Sequence, residues 1–149
     1  MRRIVLGLGA ALLAACAKPD AETMDKMEAM APAMVNMADL AGTWTVQVMG
    51  ESSDSVLLTY TMAATAMTDG WTISLPGRPT MPMTVSVAGD SVMTMVAPYE
   101  SVLRKGVQVS TESVARLVDG KMMGTSMAHY VTSMADSVVR LRFVGTKNP

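Results

Sequence analysis

Cysteine, histidine and aromatic side chains are scarce in this chain. Its 149 residues include one cysteine, one histidine, one phenylalanine, two tryptophans and three tyrosines. One cysteine cannot close a disulfide within the chain, and one imidazole, His129, cannot build the multi-histidine sites of zinc or iron enzymes. No motif supplies His129 with a nucleophile and an orienting carboxylate, so it reads as an ordinary strand-end residue; neither enzymatic activity nor a cofactor is expected. Aromatics at 4% offer no stacking platform for bases, and a formal charge of −1 leaves no basic footprint, so no nucleic-acid partner is expected. Apolar runs stop short of the ~20 residues that span a bilayer.

Methionine, by contrast, is abundant, with seventeen residues in two different settings. The length suits one folded domain with a real core, which must hold together by packing.

The N-terminus has the three parts of an export signal. Arg2 and Arg3 give a positive start, Ile4 through Leu13 form an uncharged apolar run, and the small residues Ala14 and Ala15 precede Cys16. The sequence Leu13-Ala14-Ala15-Cys16 resembles the lipobox of bacterial lipoproteins. That resemblance implies cleavage before Cys16, a diacylglycerol on its thiol and a further acyl chain on the new amino terminus. Two or more acyl chains hold a protein stably on a membrane. Ala17, in place of an aspartate, favours sorting to the periplasmic face of the outer membrane. An ordinary secreted protein with a chance cysteine is the plainer alternative.

Residues 1–15 are thus expected to be a signal peptide, and residues 16–38 a lipid-anchored, Met- and Ala-rich flexible tether. Met24, Met27, Met30, Met34 and Met37 recur every three or four positions, so a helix would gather them on one stripe, interrupted or restarted at Pro32. Thioethers select Cu(I) and Ag(I) over harder ions, and the stripe resembles the methionine-rich segments of periplasmic copper-handling proteins. A compositionally biased linker explains the same spacing.

From Asp39 the texture changes to short alternating runs punctuated by Gly, Asp, Ser and Pro, the pattern of an antiparallel β-domain over residues 39–149. Runs are expected at 43–49, 56–63, 71–75, 81–87, 91–97, 107–118, 121–130 and 137–144. Ala88-Gly89-Asp90 and Asp119-Gly120 read as hairpin turns. Ser52, Ser53, Asp54 and Ser55 read as turn chemistry. About eight strands joined mostly by short turns point to an all-β, antiparallel up-and-down barrel, with a β-sandwich as the alternative.

Leu40-Ala41-Gly42-Thr43-Trp44 carries a G-x-W pattern that resembles the first strand of lipocalin and calycin barrels. The resemblance implies that Trp44 lies across the closed end of the barrel under an arginine from the last strand, Arg140 or Arg142. It does not extend to the middle of the domain, where no second lipocalin motif occurs.

Met81, Met83, Met93, Met95, Met123 and Met127 fall mostly at alternate strand positions, so several are expected to share a barrel interior. There they would either line a cavity for a variable apolar ligand or fill a closed core. Tyr99, Glu100, Arg104 and Lys105 gather in one loop. They could rim a pocket, or form a solvated loop with an internal Glu100–Arg104 pair.

The preferred reading is a lipid-anchored envelope protein with a lipocalin-like barrel that binds a small apolar molecule or an envelope partner. A soft-metal lipoprotein acting through the tether methionines, and a structural envelope protein without ligand, are the other two.

Overall fold

Side chains alternate across a strand every second residue, and the apolar alternation of this sequence produces nine strands among the described residues. The computed structural model describes residues 34–133 and 135–149. Cys16 and its lipobox, and Met24, Met27 and Met30, lie outside the described residues. The strands are β1 (Gly42–Gly50), β2 (Val56–Ala64), β3 (Thr72–Ser74), β4 (Met81–Pro82), β5 (Thr84–Ala88), β6 (Ser91–Glu100), β7 (Gln108–Val118), β8 (Lys121–Tyr130) and β9 (Val138–Lys147). Among the described residues one short helix, α1 (Met37–Leu40), precedes them. No helix among the described residues is long and apolar enough to cross a membrane.

The sheet order is β4-β3-β2-β1-β9-β8-β7-β6-β5, with every neighbouring pair antiparallel. Strands adjacent in sequence are thus adjacent in space, and β9 returns to pair with β1 from Trp44↔Lys147 to Gly50↔Leu141. This is a nearly closed up-and-down barrel, lipocalin-like in its order, and not a sandwich. The remaining gap lies between β4 and β5, which only Met83 separates.

That gap has a local cause. The run expected as one strand at 81–87 bonds to β3 with its first residues and to β6 with the rest, Ile73↔Met81 on one side and Thr84↔Met95 on the other. Pro82 has no N–H to give, which suits it to an edge position where pairing lapses. The Met83 N–H still reaches the Trp71 carbonyl at 2.9 Å. A single bent segment therefore carries the chain from one sheet edge to the other.

Turn chemistry sets the hairpins. Val118 faces Lys121 across Asp119-Gly120, and both turn residues have positive φ, 49° and 74°. Positive φ at both central positions is the mirror-image turn that matches strand twist. Pro98 falls where the β6–β7 register shifts between Val96 and Tyr99.

The core packs the barrel interior around one small cavity. Trp44, Val46 and Val48 of β1 face inward, as do Leu141 and Phe143 of β9 and Met122 and Ala128 of β8. Gly124 permits this packing. A Cβ there would collide with the Val114 carbonyl oxygen and stand 2.8 Å from Cζ of Phe143, so glycine lets the only phenylalanine lie against the sheet. At the end where the chain enters, Trp44 and Trp71 are almost wholly buried. Each tryptophan removes ~150–250 Å² from water, about 4–6 kcal/mol at ~25 cal/mol/Å² as an upper estimate. Both indole N–H groups are satisfied by the carbonyl four residues earlier, Leu40 and Met67, at 2.8 Å each.

Helix α1 shuts this end. The Asn36 side chain accepts from Ala38 N–H and starts the turn. The Val35 N–H donates to the Gly89 carbonyl of the β5–β6 turn at 2.9 Å, and Leu40 is buried over the core.

Candidate functional site

The cation over Trp44 is Lys147, not Arg140 or Arg142. Inward positions on β9 are odd-numbered, which sends Arg140 and Arg142 outward, Arg140 to Glu51 at 3.5 Å and Arg142 to Asp54 and the Ser53 carbonyl. Lys147 shares the inward parity and stands opposite Trp44 in register. Its Nζ lies 5.7 Å from the indole centroid and donates to the Asp39 carbonyl at 3.1 Å. Gly42, at φ 136°, makes room, because a Cβ there would be 2.7 Å from Cε of Lys147.

The opposite end holds the interior site. A cavity of about 50 Å³ lies within the barrel there. All three tyrosines of the chain, Tyr60, Tyr99 and Tyr130, line it, together with the hydroxyls of Ser101, Thr111, Ser113 and Ser126. The rest of its wall is apolar, including Phe143 and Met83, and among the described residues no charged side chain lines it. Ser113 donates to Ser126 at 2.9 Å across β7 and β8.

Burial, reinforced by nearby Tyr99, raises the Tyr60 phenol well above its ordinary value. Tyr99 is raised too, by burial first and by Tyr130 second, against a hydrogen bond with Thr111. Removing a phenol from water disfavours its charged form, so both stay neutral at physiological pH. The lumen is a neutral, hydroxyl-bearing chamber.

Residues 101–107 cover its mouth. Val102 and Leu103 line the cavity from above and are partly exposed on their other side. Buried Ser101 organises the loop, its Oγ accepting from the N–H groups of Leu103 and Arg104 at 3.1 and 3.0 Å. The guanidinium of Arg104 lies 4.1 Å above the Tyr130 ring and pairs with Asp136 at 2.5 Å, tying this loop to the one before β9. Glu100 pairs with Arg78 at 3.1 Å and accepts the Gly106 N–H at 3.2 Å.

An internal Glu100–Arg104 pair is therefore not what holds the loop, since Glu100 pairs with Arg78 and accepts from Gly106 while Arg104 pairs with Asp136. Arg78 holds the Glu100 carboxyl below the usual range, helped by Gly106, and Arg104 does the same for Asp136. Glu100 also raises the Arg78 guanidinium through their hydrogen bond.

The methionines divide between the two faces. Met83 is buried against the lumen, and Met81 is partly buried on the same side. Met93, Met95, Met123 and Met127 lie outside the barrel and do not enter the lumen, a correction to their expected place. On β6 the inward set is Val92, Thr94 and Val96, and on β8 it is Met122, Ser126, Ala128 and Tyr130.

Alternation tells which residues share a face; it does not tell which face is buried. The signal that distinguishes them was present: Lys121 and His129 share a face with Met123 and Met127, and charged or titratable side chains mark the solvent side.

Met93, Met95 and Met127 instead border an outer depression of about 350 Å³ that also includes Glu112. Of the two described tether methionines, Met34 is exposed, and Met37 sits in α1 packed against the core. His129 stands on the outer face of β8 with Nε2 3.9 Å from Glu112. Ser53 behaves as turn chemistry, its Oγ accepting the Ser55 N–H at 3.1 Å.

Compared with family models, with curated proteins and with solved structures, the chain shows no match.

Proposed function

We propose that this chain is a lipid-anchored protein of the bacterial envelope whose barrel binds a small, neutral, mainly apolar molecule in its lumen. The anchor rests on the resemblance of Leu13-Ala14-Ala15-Cys16 to a lipobox. The binding rests on one observation: every tyrosine of the chain and, among the described residues, no charged side chain lines a chamber inside the barrel that a loop covers at one end. Neutral hydroxyls set among apolar walls fit a compact ligand carrying one or two polar groups, because each polar group finds a partner without an unpaired charge being buried.

Size sharpens the reading. A cavity of about 50 Å³ accommodates a few water molecules at ~10–15 Å³ each. A larger guest enters by displacing Val102 and Leu103, the two apolar side chains of the covering loop. Long acyl chains are poorly matched to this lumen.

Titration of the full-length chain with the neutral fluorophore N-phenyl-1-naphthylamine tests the proposal. Enhanced emission is expected, strengthened by Leu103→Ala, which enlarges the mouth, and weakened by Ser113→Leu, which fills the chamber. Absence of binding to both the parent and Leu103→Ala would sink it.

A further inference from the structure

We propose that Met93, Met95 and Met127, with Glu112 between them, form a binding site for a soft monovalent metal ion, Cu(I) or Ag(I), on the outer wall of the barrel. The site is separate from the lumen and from the tether, and does not depend on the ligand reading above.

The register places these residues together. Met95 of β6 faces Glu112 of β7, which faces Met127 of β8, so the two methionines flank one carboxylate across three strands. Met93 lies two residues along β6 from Met95, on the same outer face, and all four side chains border the same depression. Neighbouring strands are ~4.8 Å apart, so the backbones of Met95 and Met127 are about 10 Å apart, and Met93 and Met95 about 6.6 Å. Unbranched side chains with three rotatable bonds close such gaps by leaning over Glu112. Rigid or branched residues would not.

Chemistry selects the ion. Thioethers are soft donors without charge, which suits Cu(I) and Ag(I) and fails harder ions. Among the described residues no group of three His, Cys, Asp or Glu side chains could hold a harder metal. One carboxylate, Glu112, supplies a single negative charge, matching a monovalent cation. Beside it stands the Nε2 of His129 at 3.9 Å, a nitrogen without a hydrogen-bond partner among the described residues. Imidazole is itself a copper ligand, so a nitrogen donor lies next to the sulfur set.

The exposure of Met93 and Met95, 41% and 48%, leaves their sulfurs reachable from solvent.

The test is anaerobic competition for Cu(I) between the full-length chain and bicinchoninate, with Ag(I) followed in parallel through the ε-methyl signals of ¹³C-methionine. The triple substitution Met93→Leu, Met95→Leu and Met127→Leu keeps side-chain volume while removing the sulfurs. It is expected to abolish one equivalent of tight uptake or weaken it at least tenfold. Replacing Met24, Met27, Met30, Met34 and Met37 by leucine leaves that equivalent in place, and Ag(I) shifts the methyls of Met93, Met95 and Met127. Unchanged uptake in the barrel variant overturns the proposal. So does loss of this equivalent in the tether variant, or no uptake by the parent chain.

Discussion

Lys147 lies over Trp44: its ammonium stands 5.7 Å from the indole centroid, and the two residues are cross-strand partners where the last strand closes on the first. The same ammonium holds the Asp39 carbonyl at 3.1 Å, joining the helix that shuts the barrel to the seam that closes it. One side chain thus links the closure of the sheet to the closure of its end.

Replacing Lys147 by methionine keeps the apolar stem and removes the charge. An exposed cation over indole contributes ~0.5–1 kcal/mol, so urea unfolding should show a loss of about that size. Arg140→Ala and Arg142→Ala remove outer ion pairs, each expected to cost ~0–1 kcal/mol. They should leave the quenching of buried tryptophan emission unchanged. A shift of that emission in an arginine variant would place the closing cation elsewhere.

Gly124→Ala should be among the most damaging small substitutions in the barrel. The new methyl meets the Val114 backbone oxygen as well as the Phe143 ring, and backbone cannot step aside as a side-chain tip can. Overpacking of this kind costs roughly 1–3 kcal/mol or more. Phe143→Leu relieves only the ring contact, so the double variant should remain destabilised in chemical denaturation beyond the cost of Phe143→Leu alone.

The loop over the lumen should loosen in acid. The Asp136 and Glu100 carboxyls are held below their ordinary values by Arg104 and Arg78. Their contribution to stability is therefore complete above the ordinary carboxylate pKa and disappears as pH falls through the lowered values. The difference in urea midpoint between the parent and Asp136→Asn, clear at neutral pH, should vanish in this acid window.

On the alkaline side the sign reverses. Tyr60 and Tyr99 are raised, so the stability from keeping them neutral is present below the ordinary phenol value and lost as pH climbs above it. Spectrophotometric titration should find the two phenols ionising late or only on unfolding; ordinary titration of both would contradict their burial.

Much of the fold was legible because strands and turns write themselves locally. Seven of the eight expected runs became single strands, and the run at 81–87 became two. Asp119-Gly120 became the turn its composition announces. Pro82, visible in the sequence, marks where the run from 81 divides, but that the two halves serve opposite sheet edges is a matter of closure.

The site was less legible. Tyr60, Tyr99 and Tyr130 are 39 and 31 residues apart in sequence and meet only because β2, β6 and β8 surround one lumen. The sequence groups Tyr99 with Glu100, Arg104 and Lys105 in one loop, whereas the structure places it in β6, beyond the irregularity, lining the interior.

The sequence alone determined the all-β class, the main strand boundaries, the turns and the residues that travel together on each face, because those properties follow from a two-residue period and from local backbone chemistry. Tertiary structure decided which face became the inside, that Lys147 and not Arg140 or Arg142 covers Trp44, and that the methionines of β6 and β8 gather on the outer wall. Those choices depend on register between strands far apart in the chain. One residue of parity moves every side chain of a strand from one face to the other.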